Sequence, residues 1–200
     1  CLHEDGIWHF EQSYMPSMIK NISYDTICHE HLEYYSLKSL KYLLTKAGLK
    51  ITNLSFNQIN GGSIEVDVVK KSSKYKECKD LINWVLESEH VNQYNEIKKH
   101  KSFYNECLNH KKLLKKLLVT LKKQNKKVVG YGASTKGNVL LQFCGINSKI
   151  INNIAEVNKY KFNRYTPGSK IKIVSEKSVR LKKPDYMLVL PWHFKDYIVK

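Results

Sequence analysis

The sequence predicts an α/β protein in two parts: the closing half of one sheet, then a second unit with a parallel sheet. Three observations carry this. "SIEVDVV" at 63–69 alternates Ile64, Val66 and Val68 against Glu65 and Asp67 directly after an "NGG" turn, the pattern of a half-buried antiparallel strand. Residues 72–127 read as polar helical text with apolar stripes at spacings of three and four. From 126 onward short apolar strands alternate with helical segments, which implies parallel pairing. With 200 residues and 42% hydrophobic content, there is material for one large core or two small ones.

In order, "GIWHFEQ" at 6–12 reads as a short buried strand that ends on polar residues. A loop carrying His29, Glu30 and His31 follows. Ser36 then stands where an N-cap belongs, Leu37, Leu40, Leu44 and Ala47 share one face, and Gly48 supplies the stop, which predicts a helix over 37–47. Residues 49–59 are strand-like, 60–62 form a turn, and 63–69 are the alternating strand. Within 72–127, "LINWVL" and "LLKKLLVTL" predict helices packed between two domains; their apolar face is too narrow and too poor in aromatics for an interfacial membrane helix. "KKVVGYGASTKGNVLLQFCGI" at 126–146 predicts a strand, a glycine-bearing loop and a helix ended by Gly145, with further strands in 150–158, 170–174 and 184–192. The domains expected are therefore 1–71, a helical connector over 72–127, and 128–200. The chain begins at Cys1 and structured text runs to Lys200, so both ends read as cut and the chain as a fragment.

No apolar run approaches the roughly 18 residues that span a bilayer, and no basic-then-apolar leader opens the chain, so neither membrane nor secretion is expected. The five cysteines are odd in number, scattered and without a CxxC pair, which reads as free thiols in a reducing cytoplasm. The net charge is +16, yet Arg164 and Arg180 are the only arginines. Nucleic-acid readers favour arginine forks, and no such signature is present, so nucleic acid is not an expected partner. The charge reads as a lysine-rich surface or as preparation for an anionic substrate.

Two constellations carry chemistry. His29-Glu30-His31 lacks the distant partners of a zinc shell and the HExxH spacing. A histidine beside a carboxylate suits proton transfer, because imidazole titrates near neutrality and the carboxylate can fix its tautomer; an aromatic-rich packing loop fits the pattern equally well. The second is "GYGASTKGN". Gly130 and Gly132 permit a tight turn after a strand, the next helix offers N–H groups, Lys136 adds a charge suited to phosphate, and Asn138 closes the run. Glu156 falls at the end of the next strand, where dinucleotide folds place a ribose-binding carboxylate. The loop is GxGxxxKG, not GxGxxG, so a plain turn in a non-binding domain fits as well.

"YDTICHEHLEYYSL", "NGGSIEV", "GYGASTKGN", "YTPGSKIKIV" and "PDYMLVLPWHF" stand in the same order as in the nucleotide-sugar C-methyltransferases, and the resemblance covers nearly the whole chain. That family methylates a carbon beside a sugar ketone with S-adenosylmethionine. The resemblance implies that residues 1–71 are the closing half of a class I methyltransferase Rossmann-like sheet with its catalytic loop. It implies that 128–200 are a second Rossmann-like unit binding the nucleotide sugar. The S-adenosylmethionine site and a cysteine-rich zinc domain would lie upstream of Cys1. Carried over by position, His31 resembles the general base, Glu30 its supporting carboxylate and His29 a neighbour. Cys28 stands where many relatives have tyrosine. Asn60, Gly61, Gly62 and Ser63 would line the pocket or form a plain hairpin turn, and the loop around Lys136 would take the diphosphate. The alternatives are an NAD(P)-dependent oxidoreductase, which leaves the antiparallel hairpin and the His-Glu-His unexplained, and a non-catalytic nucleotide-binding protein.

Overall fold

The structure, a computed structural model, describes residues 2–198. Cys1 and Lys200, both used in the sequence reading, lie outside the described residues. The fold is α/β, and contacts divide it into two compact units: Cys1–Ser23 with His31–Tyr104, and Tyr24–Glu30 with Asn105–Lys200.

The first unit contains β1 (Trp8–Ser13), α1 (Met15–Lys20), α2 (Leu37–Lys46), β2 (Leu49–Asn57), β3 (Ser63–Lys70), α3 (Lys79–Val91) and the start of α4 (Ile97–Lys123). Its sheet has the order β1-β3-β2, and both pairings are antiparallel. The alternation read at 63–69 places Ile64, Val66 and Val68 on the buried face of the central strand, each at most 1% exposed. Burying such side chains stabilises by about 1.5–3 kcal/mol each. Leu37, Leu40 and Leu44 of α2 and Ile82 and Val85 of α3 join them in one core.

The strand expected as buried at 6–12 is instead β1, an edge strand with Trp8 47% exposed. The central, doubly paired place belongs to β3, so the apolar content of β1 marks a strand without marking its depth. The short helix α1 was not expected. Its six residues are too few to show a period, although Pro16 in the first turn suits a helix start. The expected connector 72–127 is divided: α3 supplies core residues to the first unit, and the division between the units falls inside α4.

The second unit holds the rest of α4, β4 (Val128–Tyr131), α5 (Thr135–Cys144), β5 (Asn153–Glu156), β6 (Lys172–Ser175), α6 (Glu176–Leu181), β7 (Tyr186–Val189) and α7 (Lys195–Ile198). Its strands pair in parallel in the order β6-β5-β4-β7. This is the first half of a doubly wound sheet, with its topological switch point at β4, where ligand-binding crevices form outside the carboxyl ends of the strands. Ile154 and Ala155 of β5 are fully buried, with Leu141 of α5 and Leu190 after β7 each 1% exposed. Gly145 ends α5 in the left-handed region, as read from the sequence.

Candidate active site

The segment that carries the His-Glu-His begins in a 3₁₀ turn, Tyr24–Thr26, that is buried throughout. Tyr24 sits against the last turn of α5, its ring 4.8 Å from that of Phe143, and its hydroxyl hydrogen-bonds with Cys144 Sγ at 3.3 Å and with His110 Nδ1 at 2.9 Å. Burial, then the Cys144 contact, pushes the Tyr24 phenol far above its usual range, so it stays protonated. Asp25, 4% exposed, accepts a hydrogen bond from the Trp192 indole Nε1 at 2.9 Å. Lys136, in the first turn of α5, is within electrostatic reach of Asp25 and Cys28. Burial draws the Lys136 ammonium below its usual range while Asp25 pulls it back up. His193 faces the same charges. Burial and then Lys136 hold its imidazole below the ordinary value, hence toward neutrality, and its Nδ1 is buried with no hydrogen-bond partner among the described residues.

Past this anchored turn the backbone leaves regular structure. His29 and Glu30 are exposed, with side chains 84% and 57% accessible, and His29 Nε2 lies 4.0 Å from Glu30 Oε1. His31 is half-buried, and its carbonyl accepts from the Tyr34 hydroxyl at 3.0 Å. The division between the two units passes between Glu30 and His31. The carboxylate expected beside His31 thus approaches His29, and such an exposed contact at 4.0 Å contributes little to stability.

The segment returns to regular structure at α2, and a buried carboxylate holds that end. Ser36 caps the helix, its Oγ accepting from Ser39 N at 3.2 Å. Glu89 of α3, 1% exposed, accepts from Leu37 N at 2.6 Å, Lys38 N at 3.2 Å, the Tyr14 hydroxyl at 2.7 Å and Asn95 Nδ2 at 3.2 Å. It satisfies N–H groups that no intrahelical carbonyl can reach and places negative charge at the positive end of α2.

Residues 58–62 connect β2 to β3, and Ser63 opens β3. Asn60 has φ 57° and Gly62 φ 125°, and a Cβ on Gly62 would stand 2.4 Å from Ser17 Cβ, so both conformation and the close approach of α1 call for glycine. Asn21 Nδ2 donates to Gly61 O at 2.9 Å, and buried Ser63 donates to Ile59 O at 3.1 Å. Packing within the first unit accounts for these residues.

The β4–α5 loop is also bonded inward. Gly132 N donates to Ala155 O at 2.8 Å, Ala133 N to Glu156 Oε2 at 2.9 Å, Gly137 N to Ser134 Oγ at 3.0 Å and Asn138 N to Ser134 O at 3.0 Å. Gly132 has φ 82°, and a Cβ there would meet Pro191 Cδ at 2.7 Å; one on Gly130 would meet Ile154 Cγ1 at 2.9 Å. Glu156, 8% exposed, also accepts from Val157 N at 2.8 Å and Asn158 N at 3.0 Å, with Lys161 Nζ 3.6 Å away. Burial alone would raise its pKa, but the three backbone N–H groups and Lys161 outweigh it and hold the carboxyl below its usual range. The carboxylate read as a ribose ligand is thus committed to the protein's own loop.

Sequence reasoning singled out His29, Glu30, His31 and Lys136 but passed over Asp25, Trp192 and Glu89. Asp25 and Trp192 lie inside the quoted motifs, and Trp192 follows the carboxyl end of a parallel strand, where sites form. That position was the available signal. Glu89 sits in polar helical text and offered none. Among the described residues no three His, Cys, Asp or Glu side chains stand close enough to hold a metal, and no helix is long and apolar enough to cross a membrane. Residues 2–71 contain no strand, glycine loop and helix in series after a parallel strand; Gly48, Gly61 and Gly62 serve a helix end and a hairpin. These residues do not fit a cradle for S-adenosylmethionine, and its site is not assigned to them.

Residues 58–200 match the family described as the C-methyltransferase C-terminal domain. Over 198 residues the chain is 31% identical to C-methyltransferase NovU of Streptomyces niveus, covering 99% of this chain and 47% of that protein. The chain thus spans about half the length of this curated relative.

Proposed function

Because the chain belongs to the C-methyltransferase C-terminal domain family, we propose that it is the proton-transfer and substrate-holding part of an enzyme that methylates a carbon alpha to the ketone of a nucleotide-linked deoxysugar. The observation that carries this reading is the build of residues 24–36, with exposed His29 and Glu30 and half-buried His31 between two ends that are anchored by buried carboxylates, Asp25 and Glu89. A packing loop has no need for rigid ends around an accessible acid–base pair.

In this reading His31 takes the alpha proton. The C–H electron pair moves into the enolate, the proton passes to the imidazole, and Glu30 with His29 tunes and orients the base. Polar groups around the enolate oxygen lower its energy. The turn at Asn60, Gly61, Gly62 and Ser63 shapes the pocket wall. Lys136 and the first turn of α5, with Gly130, Gly132 and Asn138 setting the loop and Glu156 bracing it, take the diphosphate. S-adenosylmethionine, held by another part of the protein, supplies the methyl group.

The test avoids methyl transfer. The full-length protein is incubated in heavy water with a dTDP-linked 4-keto-6-deoxysugar and no methyl donor, and loss of the alpha-proton signal is followed by NMR. His31→Asn should slow exchange by about 10²–10⁴-fold, while His29→Asn keeps much of it. Equal exchange in the two variants, or exchange that requires added zinc, overturns the reading.

A further inference from the structure

Tyr24–Glu30 group with the parallel-sheet unit, although the chain up to Ser23 and from His31 to Tyr104 groups with the antiparallel one. Seven residues cross over, and specific polar contacts hold them. The turn Tyr24–Thr26 lies along α5, with Tyr24 at Phe143 and Cys144 in its last turn, while Asp25 and Cys28 lie within electrostatic reach of Lys136 in its first. Asp25 is 4% exposed and 167 residues from Trp192 in sequence, yet accepts its indole N–H at 2.9 Å.

Taking a carboxylate out of water costs several kcal/mol unless donors and counter-charge replace the water. Here an indole N–H donates to the carboxylate and the Lys136 ammonium lies within electrostatic reach, at the carboxyl ends of β4 and β7, where doubly wound folds ordinarily receive an anionic ligand. The chain's own carboxylate stands beside that place. A segment needing only to pack would be served by Tyr24 alone, without the burial of a carboxylate four residues before the first histidine.

We propose that the parallel-sheet unit positions the proton-transfer segment, with Asp25 and Trp192 as positioning residues that set the geometry of His29, Glu30 and, through the chain, His31. This rests on the reading of His31 as the base. Neither residue touches the reacting atoms. Their contribution is orientation, where a displacement of about 1 Å costs on the order of 10²-fold in rate. The assignment gives the second unit a role in catalysis besides any in holding nucleotide.

The experiment is the heavy-water exchange of the dTDP-linked keto-sugar by the full-length protein, run at several substrate concentrations with Trp192→Phe and Asp25→Asn. Trp192→Phe keeps a ring and removes the donor; Asp25→Asn keeps the shape and removes the charge. Both should lower kcat for exchange by roughly 10- to 100-fold with KM unchanged within about threefold. In the same samples, hydrogen exchange of the amides at 27–30 should speed up while those of β5 stay protected. A merely structural role would not split kcat from KM. Wild-type kcat in both variants, or a raised KM at unchanged kcat, overturns the proposal. Should Trp192→Phe fail to fold, Asp25→Asn decides on the same readouts. His31→Asn separates the two readings. If it exchanges the sugar proton at the wild-type rate, the base assignment fails by itself, and positioning is then judged on the amides at 27–30, where unchanged protection overturns it.

Discussion

Lys136 shows how one side chain can answer two demands. It is half-buried and within electrostatic reach of Asp25 and Cys28 on the segment that leads to the histidines. Burial disfavours the charged form and the Asp25 carboxylate opposes that effect. In the proposed reading a diphosphate would gain a charge-assisted contact with it. Lys136→Ala is therefore expected to weaken binding of a dTDP-sugar by roughly 1.5–3 kcal/mol, measured by calorimetry on the full-length protein. Unchanged affinity would leave Lys136 as counter-charge to Asp25 and nothing more. At the same scale, Gly62 and Gly132 exclude any side chain because Ser17 and Pro191 already fill the space.

Among elements, the loop between β4 and α5 is the clearest case of a recognisable motif put to internal use. Its glycines make room for Ile154 and Pro191, and its N–H at Ala133 goes to Glu156 at the end of β5. The folded-state pKa of Glu156 is lowered from 4.5, so its stabilisation is present in full above that value and is lost as pH falls through the folded value below it. Glu156→Gln should therefore be less stable than wild type near neutrality, and the gap should close on acidification below pH 4.5. Urea unfolding of both proteins over roughly pH 6 to 3 measures this. A gap that stays constant or widens in acid would show that the charge contributes nothing. Glu89 plays the corresponding part for α2, where it replaces the missing intrahelical acceptors and fixes the exit of the His-Glu-His segment.

At the scale of the whole molecule, residues 2–71 hold an antiparallel sheet whose glycines serve a helix end and a hairpin, and they form no cradle for a methyl donor. The 200-residue chain alone should therefore not bind S-adenosylmethionine. Titration calorimetry with the donor should give no saturable heat, and micromolar affinity, about −8 kcal/mol, would refute the assignment of the donor site to another part of the protein.

The sequence by itself determined the α/β class, the helix that Ser36 opens and Gly48 closes, the alternating strand of Ile64, Val66 and Val68, the parallel strands after residue 126 and the stop at Gly145. Each is a local matter, because caps, turns and the periods of helix and strand act over a few neighbouring residues. Only the tertiary structure decided that β1 is an exposed edge, that α3 belongs to the first core, and that Tyr24–Glu30 joins the second unit. It also decided which carboxylates are spent internally: Glu89 meets Leu37 across 52 residues, Glu156 meets Ala133 across 23 and Asp25 meets Trp192 across 167. A buried acid lowers its desolvation cost with whichever donors the packed chain brings to it, and no local pattern encodes a partner at such separations.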